Sequence, residues 1–157
     1  VELFFMSERH KQLQEHFKSM ELFQQRTVAD YYFLKSVLFA RQTLNDEEYR
    51  LFQRLFHSLN TNFPRPDLIL YLHRPVENLL KNIRKRGRSY EQNITPDYLE
   101  RISRAYFEYF KSETQVPVLL LNAAELDFLE TPENYTLIKE LLQEKHRPGV
   151  QHVSYIG

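Results

Sequence analysis

The sequence predicts a helix-rich α/β fold in which a short parallel sheet is flanked by helices. Three observations predict it. Two runs of strand length, "DLILYLH" (67–73) and "VPVLLL" (116–121), are almost wholly apolar, as suits strands buried on both faces. Stretches with apolar side chains at helical spacing surround and separate them. A third, shorter β-leaning segment, "RTVAD" (26–30), lies upstream, so strands and helices alternate along the chain.

Residues 2–23 place Leu3, Phe4, Met6, His10, Leu13 and Phe17 at helical intervals. After 26–30, "YYFLKSVLFARQ" (31–42) is again helix-like. Asn45 is expected to cap a helix with the stripe Leu51, Phe52, Leu55, Phe56 and Leu59. Glu48, three residues on, nearly completes a capping box, and Asp46 and Glu47 suit the positive end of the helix dipole. "NFPRP" (62–66) is a turn. Pro75 opens the helix that follows the 67–73 strand, with Val76, Leu79, Leu80 and Ile83 on one face and Gly87 placed to end it. Thr95 and Pro96 start another helix, whose stripe is Leu99, Ile102, Tyr106, Tyr109 and Phe110. Thr131 and Pro132 start the last one, expected to pack through Tyr135, Ile138 and Leu142. The tail has no clear period, with "QHVSYI" a possible extended edge segment. No internal repeat or low-complexity segment interrupts this order.

At 157 residues the chain fits a single domain with a sizeable core. Lys plus Arg is 21 and Asp plus Glu is 21, so any electrostatic function must be local; neither a nucleic-acid nor a membrane partner is expected. Without cysteine there can be no disulfide or zinc-thiolate site, which suits a cytoplasmic protein. The longest apolar run is far short of the roughly 20 residues a membrane helix needs. Gly87, Gly149 and Gly157, the three glycines, cannot form a G-x-x-x-x-G-K-[ST] phosphate loop within these residues. The six histidines show no H-x-x-x-H spacing, and no metal site is expected from them.

The segment "NIRKRGRSYEQNI" (82–94) concentrates Arg84, Lys85, Arg86 and Arg88 around Gly87, with Glu91 following. Guanidinium groups make forked, charge-assisted bonds to phosphate oxygens and never lose their charge. The segment therefore reads as an anion-gathering loop, as a solvated helix end answering the helix dipole or, more weakly, as a nuclear-localisation-like basic patch. Asp30 reads as a carboxylate near Mg²⁺ or a substrate hydroxyl, or as a helix N-cap. Lys35 reads as a binding residue or a surface lysine. Asp127 and Phe128 read as a loop contacting a purine, or as a turn with one buried ring. In an open parallel sheet, ligands bind beyond the carboxyl ends of the strands, where Asp30 and the loop 122–128 are expected.

Three blocks taken in order resemble the deoxynucleoside kinase family. They are "VADYYFLKSVLFA" (28–40), "PDLILYLHRPVENLLKNIRKRGRSYEQNITPDYLERISRAYFEYF" (66–110) and "VPVLLLNAAELDFLETPENY" (116–135). The middle block is the most specific: a buried strand, a Pro-started helix, an R-G-R lid at about 84–93 with a Glu three residues on, and a helix beginning near "YLE". The resemblance implies a P-loop kinase-like fold and transfer of the γ-phosphoryl of ATP, with Mg²⁺, to the 5′-hydroxyl of a deoxynucleoside. It implies that Arg86 and Arg88, with Arg84 a weaker candidate, close on the donor phosphates. Glu91 would reach the sugar 3′-hydroxyl, and Asp127 and Phe128 would hold the donor adenine, largely through backbone. Relatives of this kind usually form homodimers through helices like those of the first half.

The chain also departs from the family pattern. The first strand, the P-loop and the catalytic base are expected before Val1, so the chain is expected to be an N-terminally incomplete or a naturally shortened copy, inactive alone. Where the family often has an acid-Arg-Ser motif, "ADYYF" stands, with Asp30 within one residue of that motif and no arginine. Lys35 occupies a position where many relatives carry a base-reading Asp, and Asn82 one where they often carry Arg. Two rival readings remain at this point: another P-loop nucleotide kinase of the thymidylate kinase kind, or a non-catalytic α/β interaction domain with a basic binding segment.

Overall fold

A computed structural model describes residues 2–18, 26–30, 32–61, 63–128 and 131–153. The chain divides into two compact units, 1–65 and 66–157.

The first unit is helical: α1 (Glu2–Lys18), α2 (Lys35–Thr43) and α3 (Asp46–Asn60). Its core is Met6, Phe33, Ala40, Phe52 and Phe56. The Phe33 and Phe56 rings stack at 4.9 Å, and Phe63 closes on Phe33, His10 and Phe17. The expected capping box forms in full. Asn45 accepts from the amides of Glu47 and Glu48, and the Glu48 carboxylate accepts from the Asn45 amide at 3.0 Å. Three expectations are corrected. Residues 26–30 form no strand, because β-leaning composition makes a strand only where a neighbour completes its hydrogen bonds, and none does so among the described residues. The second helix begins at Lys35 rather than 31, after a turn in which Lys35 donates to the Tyr32 carbonyl. Leu3 and Phe4 lie outside the packed face of α1 and are exposed, as is Phe5. Residues 19–23, expected to continue the first helix, lie outside the described residues.

The second unit is α/β: β1 (Ile69–His73), α4 (Val76–Arg86), α5 (Pro96–Ser112), β2 (Pro117–Asn122), α6 (Pro132–Gln143) and β3 (Gly149–Val153). The sheet order is β1-β2-β3 with both pairings parallel. Register runs from Ile69 opposite Val118 to His73 opposite Asn122, and from Pro117 opposite Gly149 to Leu121 opposite Val153. The central strand is buried on both faces, which explains its unbroken apolar run. Val118 and Leu120 pack with Phe110, Tyr106 and Tyr71 beneath α5. Leu119 and Leu121 pack with Leu126, Leu137, Ile138 and Leu141 beneath α6. The buried face of α6 is thus Asn134, Leu137, Ile138 and Leu141, rotated from the expected one, and Tyr135 is exposed beneath the Lys139 ammonium. The tail supplies β3 at 149–153, which takes in 151–153 of the expected edge segment; residues 154–156 lie outside the described residues.

Candidate functional site

The connection from α4 to α5 carries the basic segment. Pro75, extended at φ −55° and ψ 148°, precedes α4, and Gly87 ends it in the left-handed region (φ 69°, ψ 15°), donating to the Ile83 carbonyl at 3.2 Å. The left-handed turn reverses the chain within one residue. A short 3₁₀ turn, Ser89–Glu91, follows, and Thr95 then caps α5 by accepting from the Tyr98 amide. This brings Arg86, Arg88 and Glu91 together. Arg86 places Nε 2.9 Å and Nη2 2.8 Å from Oε2 of Glu91, while Arg88 Nη1 stands 3.5 Å from Oε1. The carboxylate side chain is 11 % exposed, and the guanidinium groups are about half exposed. One buried anion therefore holds two cations whose other faces meet solvent. Arg84, on the last turn of α4, is exposed and lies outside the clamp.

Chain geometry sets the side of the sheet on which this lid lies. Four residues join the end of α5 to β2, so the C-terminal end of α5 sits by the amino end of that strand. A 17-residue helix is about 25 Å long, against about 20 Å for six strand residues. The helix N-terminus, and the lid attached to it, therefore overhang the carboxyl edge of the sheet. Ring contacts agree: Phe110 meets Tyr71, and Phe107, one turn nearer the lid, meets His73 at the end of β1.

The loop after β2 lies at the same edge. Asn122 accepts from the Ala124 amide, and the Ala123 amide donates to the His73 carbonyl at 2.8 Å. Arg74 donates to the Leu126 carbonyl, Asn78 to the Ala124 carbonyl at 3.2 Å, and buried Asn134 to the Asp127 carbonyl at 3.0 Å. Phe128 is half-buried against the α6 side of the core, while Asp127 is exposed. Arg74, Asn78 and Asn134 were not expected from the sequence. A polar residue directly after a buried strand was the available signal for Arg74; the other two had none.

Asp30 and Lys35 belong to the first unit. Asp30 lies exposed at a bend, and Lys35 is the first residue of α2, its ammonium 5.4 Å from the centre of the Phe39 ring. Among the described residues no three His, Asp or Glu side chains converge on a point that could hold a metal ion. Burial pushes the Tyr71 phenol above its usual range, partly offset by a hydrogen bond with Ser103. A groove of about 560 Å³ between α5 and β3, floored by Phe107, Phe110, Leu120 and Val150, contains none of the sequence-predicted site residues.

Known proteins fit this arrangement. The family model described as deoxynucleoside kinase matches residues 1–146. The chain is 29% identical over 148 residues to the deoxyguanosine kinase of Bacillus subtilis (strain 168), covering 92% of this chain and 72% of that protein. It is 31% identical over 106 residues to a deoxyadenosine kinase of Lactobacillus acidophilus, covering 62% of this chain but 48% of that one, so it spans only part of the length of these relatives. Among solved structures, deoxyadenosine kinase from M. mycoides with bound dCTP superposes with a TM-score of 0.70 over 90% of this chain and 70% of the other, at 22% identity, a likeness of fold.

Proposed function

Starting from the membership of this chain in the deoxynucleoside kinase family, we propose that the protein transfers the γ-phosphoryl group of ATP to the 5′-hydroxyl of a deoxynucleoside, in nucleotide salvage. The observation that carries this reading is the Arg86–Glu91–Arg88 clamp around Gly87, overhanging the carboxyl edge of a parallel sheet. That edge is where such sheets take ligands. The arginines supply fixed positive charge for a transition state whose charge spreads over the phosphoryl oxygens.

In this reading the clamp is the resting arrangement. Half-exposed guanidinium groups are available to an incoming polyphosphate, and each contact they make to it weakens their hold on Glu91. The released carboxylate is then free to accept from a sugar hydroxyl. Donor and acceptor binding would thereby be coupled through one buried anion. Gly87 supplies the backbone freedom for the rearrangement.

ATP is the proposed donor, and Asp127 and Phe128 are proposed to lie along its base. Asp30 is proposed near the reacting hydroxyl and Lys35 near the acceptor, with Arg84 a lesser contact to phosphate. Mg²⁺ is expected with ATP, but the described residues do not build a seat for it, and none of the steps above depends on one. We further propose one kinase domain over 1–157, supported by a family match that runs unbroken across the boundary at 65 and 66. A homodimer is supported by the exposed Leu3, Phe4 and Phe5 on α1 and Leu51 and Leu55 on α3. A cytoplasmic location is supported by the absence of cysteine from the sequence; no described helix is long and apolar enough to cross a membrane.

The test is phosphorylation of each of the four deoxynucleosides with γ-labelled ATP by the whole protein. Labelled 5′-monophosphate is expected with at least one of them, and Arg88→Ala is expected to cut turnover by about 10³ with folding intact. No transfer to any deoxynucleoside would sink the assignment, and unchanged turnover would remove Arg88 from the site.

A further inference from the structure

The sheet ends on an open strand. β3 stands at the edge of the order β1-β2-β3, and no described strand pairs with its outer side. Gly149, opposite Pro117, donates to the Val116 carbonyl and so turns its backbone groups inward to β2. That direction alternates along a strand. Gly149, Gln151 and Val153 therefore face β2, and the amides and carbonyls of Val150 and His152 face out. Unpaired edge groups are a template for another strand, and edges that stay single usually carry Lys, Pro or a bulge. Residues 149–153 carry none of these.

Beside this edge runs the groove of about 560 Å³ between α5 and β3, which Val150 and His152 line from the strand. Its helix rim carries Glu100, Arg104, Glu108 and Lys111, all exposed. Their order is acid, base, acid, base. A two-fold axis reverses that order and sets it against its own complement: Glu100 meets Lys111 of a second copy, and Arg104 meets Glu108 of that copy. Glu108 and Lys111 pair within the helix at 2.8 Å, but an exposed pair is weak and exchanges partners at little cost. The strand matches itself under the same operation. With Gln151 on the axis, Val150 pairs with His152 of the second copy and His152 with its Val150, each both donating and accepting.

We propose that β3 and the groove-lining face of α5 form a docking surface for a second copy of this chain, joined by antiparallel β3–β3 pairing so that one sheet runs through both copies. A self-complementary edge beside a self-complementary charge row is what an isologous interface requires, and it selects a second copy over an unrelated peptide. The two-fold stands perpendicular to the sheet, so both α5 helices lie on one face and the two grooves open onto each other. This surface is separate from the exposed side chains of α1 and α3, and it does not depend on the proposed reaction.

The experiment is site-directed cross-linking of the whole protein, since residues 1–157 contain no cysteine. On the axis the two copies of residue 151 form a pair without backbone bonds, with Cα atoms about 4.5 Å apart, within the range of about 4.4–6.8 Å that a disulfide spans. Gln151→Cys is expected to link into a covalent pair under mild oxidation, while Glu133→Cys, exposed in the first turn of α6, stays single. Adding His152→Pro removes an outward amide that β2 does not use, and is expected to cut the linked fraction about tenfold with circular dichroism unchanged. Sedimentation of cysteine-free variants tests the helix row and decides alone if Gln151→Cys folds poorly. Arg104→Glu is expected to weaken self-association about tenfold, because the two-fold repeats the lost pair, and adding Glu108→Arg to restore it. Equal linkage of the two cysteine variants, linkage that survives His152→Pro, or self-association indifferent to Arg104→Glu would each overturn the proposal.

Discussion

Arg86 and Glu91 hold each other across the left-handed turn at Gly87, with Nη2 and Nε of the arginine 2.8 and 2.9 Å from one carboxylate oxygen. Five residues separate them, too far for a helical pair, and only the chain reversal at Gly87 brings them into contact. Glu91→Gln keeps the shape and removes the charge. The expected loss of stability is about 1 kcal/mol, below the range for buried bonds to charged groups because the guanidinium is half exposed. Urea denaturation checks this; an unchanged midpoint would mean that the clamp contributes nothing to the fold.

Gly87 tests the same turn through the backbone. Its φ is 69°, and a Cβ built there meets nothing within 4 Å. The cost of Gly87→Ala is therefore conformational, about 1–2 kcal/mol for a β-carbon in the left-handed region. Gly87→Asn is expected to cost less, since Asn tolerates that region. Equal destabilisation by the two, read from thermal melts, would argue against a purely backbone origin.

Tyr71 gives a pH dependence. Burial beneath α5 raises its folded value above the unfolded value near 10.0. A group bound more tightly to its proton in the folded state contributes stability that is complete below the unfolded value. That contribution is lost as pH rises through the folded one. Stability is thus expected to fall in the alkaline range, above about pH 10, and Tyr71→Phe to flatten that part of the profile. The variant is expected to lose about 1 kcal/mol near neutral pH with the Ser103 hydrogen bond. Urea midpoints at about pH 8 and about pH 11 measure both effects. An alkaline slope unchanged by the substitution would assign it to other tyrosines.

What the sequence determined was whatever a few adjacent residues settle among themselves. Asn45 and Glu48 cap α3, Gly87 ends α4, and Thr95 with Pro96 opens α5, each through bonds spanning at most four residues. The two apolar runs became β1 and β2; β2 is buried on both faces, as its unbroken run implies, whereas β1 is only partly buried and exposes Leu72. What only the tertiary structure decided was the choice of distant partners. Residues 26–30 carry the composition of a strand but no ladder, whereas 149–153 gained one from β2. Asn134 rather than Tyr135 turns inward because a loop carbonyl seven residues away needs its amide. Arg74 finds its acceptor 52 residues on. A backbone group is indifferent to where in the chain its partner comes from, so such choices follow from the assembled sheet and not from neighbouring letters.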